Sequence, residues 1–169
     1  MTTAFLITTD KIKKHGYTQG NVGDEIVTPT LRRVQDHNLK PILGSQLFKR
    51  LLAGVNASDL NANETLLLET FIKDYLTASV DHKIVNHLIF QLRNATAGST
   101  KDNMIAPLTS AERVTLLDDL RRDEENYGND LIDHLKDNAG LFLEYKEWIC
   151  SKEFVKPANN AKVSVIRFS

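Results

Sequence analysis

The chain has 169 residues, 41% hydrophobic and 25% charged, with a formal net charge of −1. That length suits one domain able to bury a core without a disulfide or metal staple, and the near-neutral balance argues against a free-standing nucleic-acid binder or tight attachment to an anionic membrane. Its one cysteine, Cys150, cannot make an internal disulfide, and no apolar run approaches the roughly 18 residues of a membrane span.

Residues 1–23 read as an N-terminal segment. Ala4 to Thr8 is short and apolar, Thr9 is placed to cap a brief helix through Lys14, and Gly16 ends it. The start lacks the charged head and long apolar core of a signal peptide, so the chain reads as made and assembled in a cytoplasm. Tyr17 to Gly23 is rich in turn formers and predicts a loop. Beyond it two readings stay open: a helix capped by Thr28 with Pro29 in its first turn, or one that starts near Asp24 and kinks at Pro29.

Leu31 to Leu52 is the most informative stretch. Leu31, Val34 and Leu39 share one side of a first helix, and Leu47, Phe48, Leu51 and Leu52 share one side of a second. Between them Lys40-Pro41-Ile42-Leu43-Gly44 forms an elbow. Pro41 is expected to end the first helix, Gly44 to take a positive φ, and Gly44 or Ser45 to cap the second. Gly54 to Asn61 predicts a loop and Asn63 the cap of the next helix. Leu66 to Ile89 keeps helical spacing with a wide apolar face, the expected centre of the core, with a possible break at Thr77-Ala78-Ser79.

Asn94 to Asn103 is small and polar and reads either as a surface loop or as the turn of a β-hairpin arm at about 90–108, with a strand near Phe90–Arg93. Thr109-Ser110-Ala111-Glu112 is a capping box. Leu116, Leu117, Leu120, Tyr127, Leu131, Ile132 and Leu135 then follow on one helical stripe, with Gly128 a candidate kink. Gly140 separates this from a short amphipathic helix carrying Leu141, Phe142, Tyr145 and Trp148, on which Cys150 reads as a small half-buried hydrophobe. Pro157 closes the helical region, and Val163, Val165 and Phe168 alternate like a strand in the tail, 156–169. The fold class is therefore all-α, a helical bundle over 24–155, with a loop or hairpin arm and a strand-like C-terminal tail.

No residues stand out as catalytic, cofactor-binding or metal-binding. His82 and His87 are five apart, a poor spacing for shared ligation on a helix, and His15, His37 and His134 are scattered. Asp118, Asp119, Asp123, Glu124 and Glu125 are interleaved with Arg121 and Arg122, which suits a solvated face with pairs such as Asp118–Arg122. There is no HExxH, phosphate loop or GxSxG pattern, so an enzyme is not expected. The glycine elbow followed by Gln46, Lys49 and Arg50 has the outline of a DNA-binding helix-turn-helix, which makes a small DNA-binding regulator the alternative reading.

The order of segments is more specific than any one of them. Leu39 to Leu52 (LKPILGSQLFKRLL), Leu66 to Val85 (LLLETFIKDYLTASVDHKIV), the polar arm at Asn94–Asn103, the Glu125-Asn126-Tyr127 helix ending HLKDN and the LFLEYKEW segment follow one another. In this order the chain resembles head–tail connector (adaptor) proteins of tailed bacteriophages, including those of Bacteroidetes and crAss-like phages. The resemblance implies a structural virion protein of the neck, without cofactor, that assembles in the host cytoplasm. It implies a ring of copies, commonly a dodecamer, below the portal protein. Such a ring extends the DNA channel without sequence-specific binding and docks the next neck or tail component.

Overall fold

The computed structural model describes residues 5–17, 22–95 and 109–150, with 89–95 as backbone only. Among them all regular structure is helical, as the spacing predicts. Of the expected arm at about 90–108, residues 96–108 lie outside the described residues, as does the strand-like tail, 156–169.

Helix α1 spans Thr9–His15 and is capped by the Thr8 hydroxyl, which accepts from the Lys11 N–H; the expected cap, Thr9, is its first residue. The segment before it joins the core, because Leu6 and Ile7 are buried and the Leu6 N–H donates to the buried Gln35 side chain at 2.9 Å. After Gly16 closes α1, the Tyr17 N–H donates to the buried Asp81 carboxylate at 2.7 Å.

Helix α2 spans Asp24–Val34 with Gly23 as cap and Pro29 inside, the second of the two sequence readings. It runs on through a wide π-type stretch, Gln35–Leu39, into α3, Lys40–Leu43. Pro41 therefore does not end the helix. A proline in a regular helix leaves the carbonyl four residues back without a donor and clashes with it. Here the preceding turn is widened, with the Lys40 N–H bonded to the Gln35 carbonyl, and the ring sits at the start of the next regular turn. The rod stops at Gly44, at φ +76°, a conformation open to glycine.

Helix α4 spans Ser45–Ala57, so Gly54 is helical rather than loop; the chain turns at Ser58 in the left-handed region. Asn61, not Asn63, caps α5, Ala62–Leu66, because Glu64 lies three residues on and closes a reciprocal capping box. A second π-type stretch, Leu67–Ile72, leads into α6, Lys73–Ala95. The helix passes unbroken through Thr77-Ala78-Ser79 and through Phe90–Arg93, where a break and a strand were expected. Its irregularity falls one turn earlier, at 67–72, where the wider turn takes up the extra residue.

Helix α7, Ser110–Asp137, opens on the expected Thr109–Glu112 capping box and passes through Gly128. A single 3-10 turn, Ala139–Leu141, leads into α8, Leu143–Cys150. Cys150 is exposed, not half-buried. Leu31, Leu39, Leu43, Leu47, Leu51, Leu67, Ile72, Leu76, Ile84, Leu131, Leu135 and Tyr145 are all sealed into one core. Helix α6 is its axis and touches α1, α2 and α7, while α4 packs on α8. The stripe on α7 is only partly a core stripe: Leu120, Leu131, Ile132 and Leu135 are buried, whereas Leu116 and Tyr127 are exposed. No helix among the described residues is long and apolar enough to cross a membrane.

Candidate functional site

The charged run of α7 does not lie wholly in solvent. Glu124 turns inward and gathers donors from two other elements. The Asn38 side-chain amide donates to Oε1 at 3.1 Å, the Ser79 hydroxyl donates to the same oxygen at 2.9 Å, and His82 Nδ1 meets Oε2 at 2.6 Å. The His82 and Glu124 side chains are 15% and 13% exposed, so the pair is largely out of water. With Glu124 as carboxylate, which only accepts, the His82 proton sits on Nδ1.

Local structure explains this convergence. Ser79 and His82 lie three apart on α6, and Tyr75 precedes Ser79 by four, so all three share one face. Asn38 lies on the π-type stretch of the rod, where the wider turn aims its side chain at α7. Tyr75 is pushed up to about 12, chiefly by burial; the hydrogen bond with Ser79 works against this and the Glu124 charge adds to it. Gly128 on α7 faces the Tyr75 ring, and a Cβ there would come within 3.2 Å of Cε2.

Asn38, Tyr75, His82 and Glu124 line a cleft of about 600 Å³ together with His37, Lys83, Arg121 and Asn129, with Ser79 buried behind them. The chemistry of the cluster is that of a lock. Ser79 is fully buried and donates its hydrogen bond to the carboxylate. His82 and Ser79 address the same acceptor instead of each other. A single charge satisfied by three donors fixes α6, α7 and the π-type stretch together.

The other sequence candidates have separate places. Gln46 and Lys49 are exposed on α4. Arg50 is committed within the molecule: Nε and Nη2 each lie 2.9 Å from the Glu64 carboxylate, and Nη2 also donates to the Asp59 carbonyl at 2.8 Å. His134 stacks on Phe71 with ring centres 4.0 Å apart, and burial lowers its pKa against the opposing pull of Asp137. In the acidic run Arg122 pairs with Asp119 at 2.6 Å rather than with Asp118, and Arg121 lies 3.5 Å from Glu125. Among the described residues no three His, Cys, Asp or Glu side chains are grouped to hold a metal ion.

Residues 39–157 match the model of a family of unknown function, DUF6712. The chain belongs to that family. The match includes Ser79, His82 and Glu124, and begins one residue after their partner Asn38. No curated protein and no solved structure matches the chain.

Proposed function

We propose that this protein is a head-to-tail connector of a tailed-phage virion, an adaptor ring below the portal that extends the DNA channel and docks the next neck or tail component. The observation that carries the reading is the first part of α7. Val114 and Leu116, 60% and 38% exposed, stand outside the core. Large apolar side chains left in water suit a contact surface. The polar groups that could serve chemistry or base contact are engaged within the molecule, Ser79 and His82 with Glu124 and Arg50 with Glu64. That also supports a structural role. In this reading the polar segment that follows α6 and the tail, 156–169, serve contacts with neighbouring copies.

Electron microscopy of the protein mixed with the portal protein encoded in the same genome tests this. The expected result is a ring of copies seated coaxially on the portal. Absence of any portal complex at all concentrations overturns the reading. Sequence-dependent retardation of genomic DNA fragments would instead favour the helix-turn-helix regulator.

A further inference from the structure

The two sides of the α6–α7 pair differ in charge. One is balanced: Arg33, Lys83 and Arg121 share its clefts with Glu25, Glu124 and Glu125. The other lies about half a turn round α7 and is of one sign. Two clefts there, of about 140 and 370 Å³, have Asp74 and Tyr127 in common and together run from Leu120 to His134. Asp74, Asp81, Asp123, Asp130 and Asp133 line them, with His15 and His134 but, among the described residues, no lysine or arginine. Lys73 and Lys136, beside the clefts, pair with Asp74 at 3.6 Å and Asp133 at 3.1 Å. Asp81 is buried and accepts from the Tyr17 N–H. Asp123 and Asp130 have no cationic partner among the described residues.

This acidic groove also has apolar walls. The Phe71 and His134 rings stack in it with centres 4.0 Å apart. Tyr127, 42% exposed, stands where the two clefts meet, with Asp123 one turn before it and Asp130 one turn after. An exposed ring flanked by two unanswered carboxylates suits a segment that carries both cations and apolar side chains. The chain has such a segment. Residues 151–169 lie outside the described residues and hold Lys152, Lys156, Lys162 and Arg167 against a single acidic side chain, Glu153, with Val163, Val165, Ile166 and Phe168 around Arg167. The other stretches outside, 1–4, 18–21 and 96–108, carry only the opposed side-chain charges of Lys101 and Asp102.

Reach permits the return. The tail leaves α8, and Phe142, the residue before that helix, lies beside His134 with ring centres 6.4 Å apart. Helix α8 carries the chain only about 12 Å from there, and the groove from His134 to Leu120 is about 21 Å long, at 1.5 Å per helical residue. Residues 151–169 can span about 60 Å. We propose that the tail turns back into the acidic groove of its own molecule, its cations pairing with Asp123 and Asp130 and its apolar side chains covering Tyr127. Tethering gives the tail an effective concentration on the order of millimolar at this site, so contacts too weak to join two separate molecules suffice. The docked tail needs no portal and goes beyond the adaptor reading. On assembly into a ring the same tail can pass to a neighbouring copy's groove, an exchange of identical contacts.

The test uses the full chain, dilute and without portal, with Cys150→Ser and Ser164→Cys so that a nitroxide spin label sits in the tail. In isotope-labelled protein the amide signals of Asp123 to His134 are expected to lose most of their intensity, while those of Ile26 to Arg33, on the other side of α6, keep theirs. Mixing isotope-labelled protein that lacks the nitroxide with unlabelled protein that carries it should cause no such loss, because the contact is within one molecule. Reversing the tail charges, Lys156→Glu, Lys162→Glu and Arg167→Glu, leaves every described residue unchanged and should restore the signals, as should Asp123→Lys with Asp130→Lys. Raising salt from ~0.05 to ~0.5 M should restore part of them, as screening shortens the reach of the charges. Full signals along Asp123 to His134 in the parent, a loss that survives reversal of the tail charges, or a loss that appears equally in the mixture would each overturn the proposal. A docked tail in a protein that never binds portal removes the adaptor reading alone, whereas a portal ring built by a protein whose tail leaves the groove empty removes this contact alone.

Discussion

The α4–α8 end of the molecule and the α6–α7 seam are held by different physics. At the first, Gly44 has no side chain and lies against the Trp148 indole; a Cβ there would fall 2.6 Å from Cδ2. Leu47, Phe48 and Leu51 are buried beside it, and the Tyr145 and Trp148 rings meet at 5.7 Å, tilted. This end depends on volume and shape. At the seam, one carboxylate collects an amide, a hydroxyl and an imidazole from two other elements. That region depends on charge and on donor placement. The first should respond to lost methylenes and the second to lost acceptors.

Removing volume from the apolar end is the largest perturbation. Phe48 is 5% exposed, so Phe48→Ala should cost about 3–5 kcal/mol of stability through lost contacts and a cavity. Urea unfolding followed by circular dichroism measures it. A loss below about 1 kcal/mol would mean that this end collapses around the gap and is not shape-limited.

At the seam, Glu124→Ala leaves Asn38, Ser79 and His82 without their shared acceptor. The expected loss is about 2–3 kcal/mol, the range for hydrogen bonds to a charged group that is not wholly shielded from water. Glu124→Gln keeps an acceptor oxygen and should lose less. Equal losses in the two variants would show that packing, not hydrogen bonding, dominates there and would erase the contrast between the regions.

The same contrast explains what the sequence made legible. Leu47, Phe48 and Leu51 announce their burial by spacing alone, and Thr109 with Glu112 announces the start of α7, because both signals are local. Gly44 is legible for the same reason, since a positive φ selects its residue type. The π-type stretches are not legible: one extra residue in a turn carries no residue signature, so the rule that proline stops a helix failed at Pro41. The inward turn of Glu124 was hidden inside a run of alternating charges. Its partners Ser79 and Asn38 lie 45 and 86 positions away. Arg50 likewise reads as available in sequence, because Glu64 meets it only once α5 has turned back. Distant donors decide the seam, and periodicity does not report them.

A smaller effect sharpens the seam at high pH. Tyr75 is raised to about 12 from an ordinary value of 10.0. A group whose acid form is favoured in the folded state adds stability that is complete below about pH 10 and is lost as pH rises toward 12. Phenolate absorbance should therefore show late-titrating tyrosine, and the late amplitude should shrink in Tyr75→Phe to what Tyr145, also raised by burial, contributes. If the Tyr75→Phe difference falls near pH 10 while the fold persists, water reaches the seam and the lock is looser than its geometry implies.

The smallest effect belongs to the start of α7, outside both regions. The Glu112 carboxyl accepts from the Thr109 N–H at 2.7 Å and the Thr109 hydroxyl at 2.8 Å, and these two hydrogen bonds, the backbone one first, hold its pKa below the ordinary value. The sign follows from linkage: the contribution is present above the unfolded carboxylate value of 4.5 and is lost as pH falls through the lower folded one. Glu112 is fully solvated, so the change should be local fraying rather than global unfolding. Amide exchange of Ser110 to Arg113, measured from neutral pH down through this range and corrected for intrinsic rates, should lose protection while amides near Leu131 and Leu135 keep theirs. Loss in both places at once would join the first turns of α7 to the core as one cooperative unit. It would also argue against a peripheral segment there that is free to pack on a neighbouring copy.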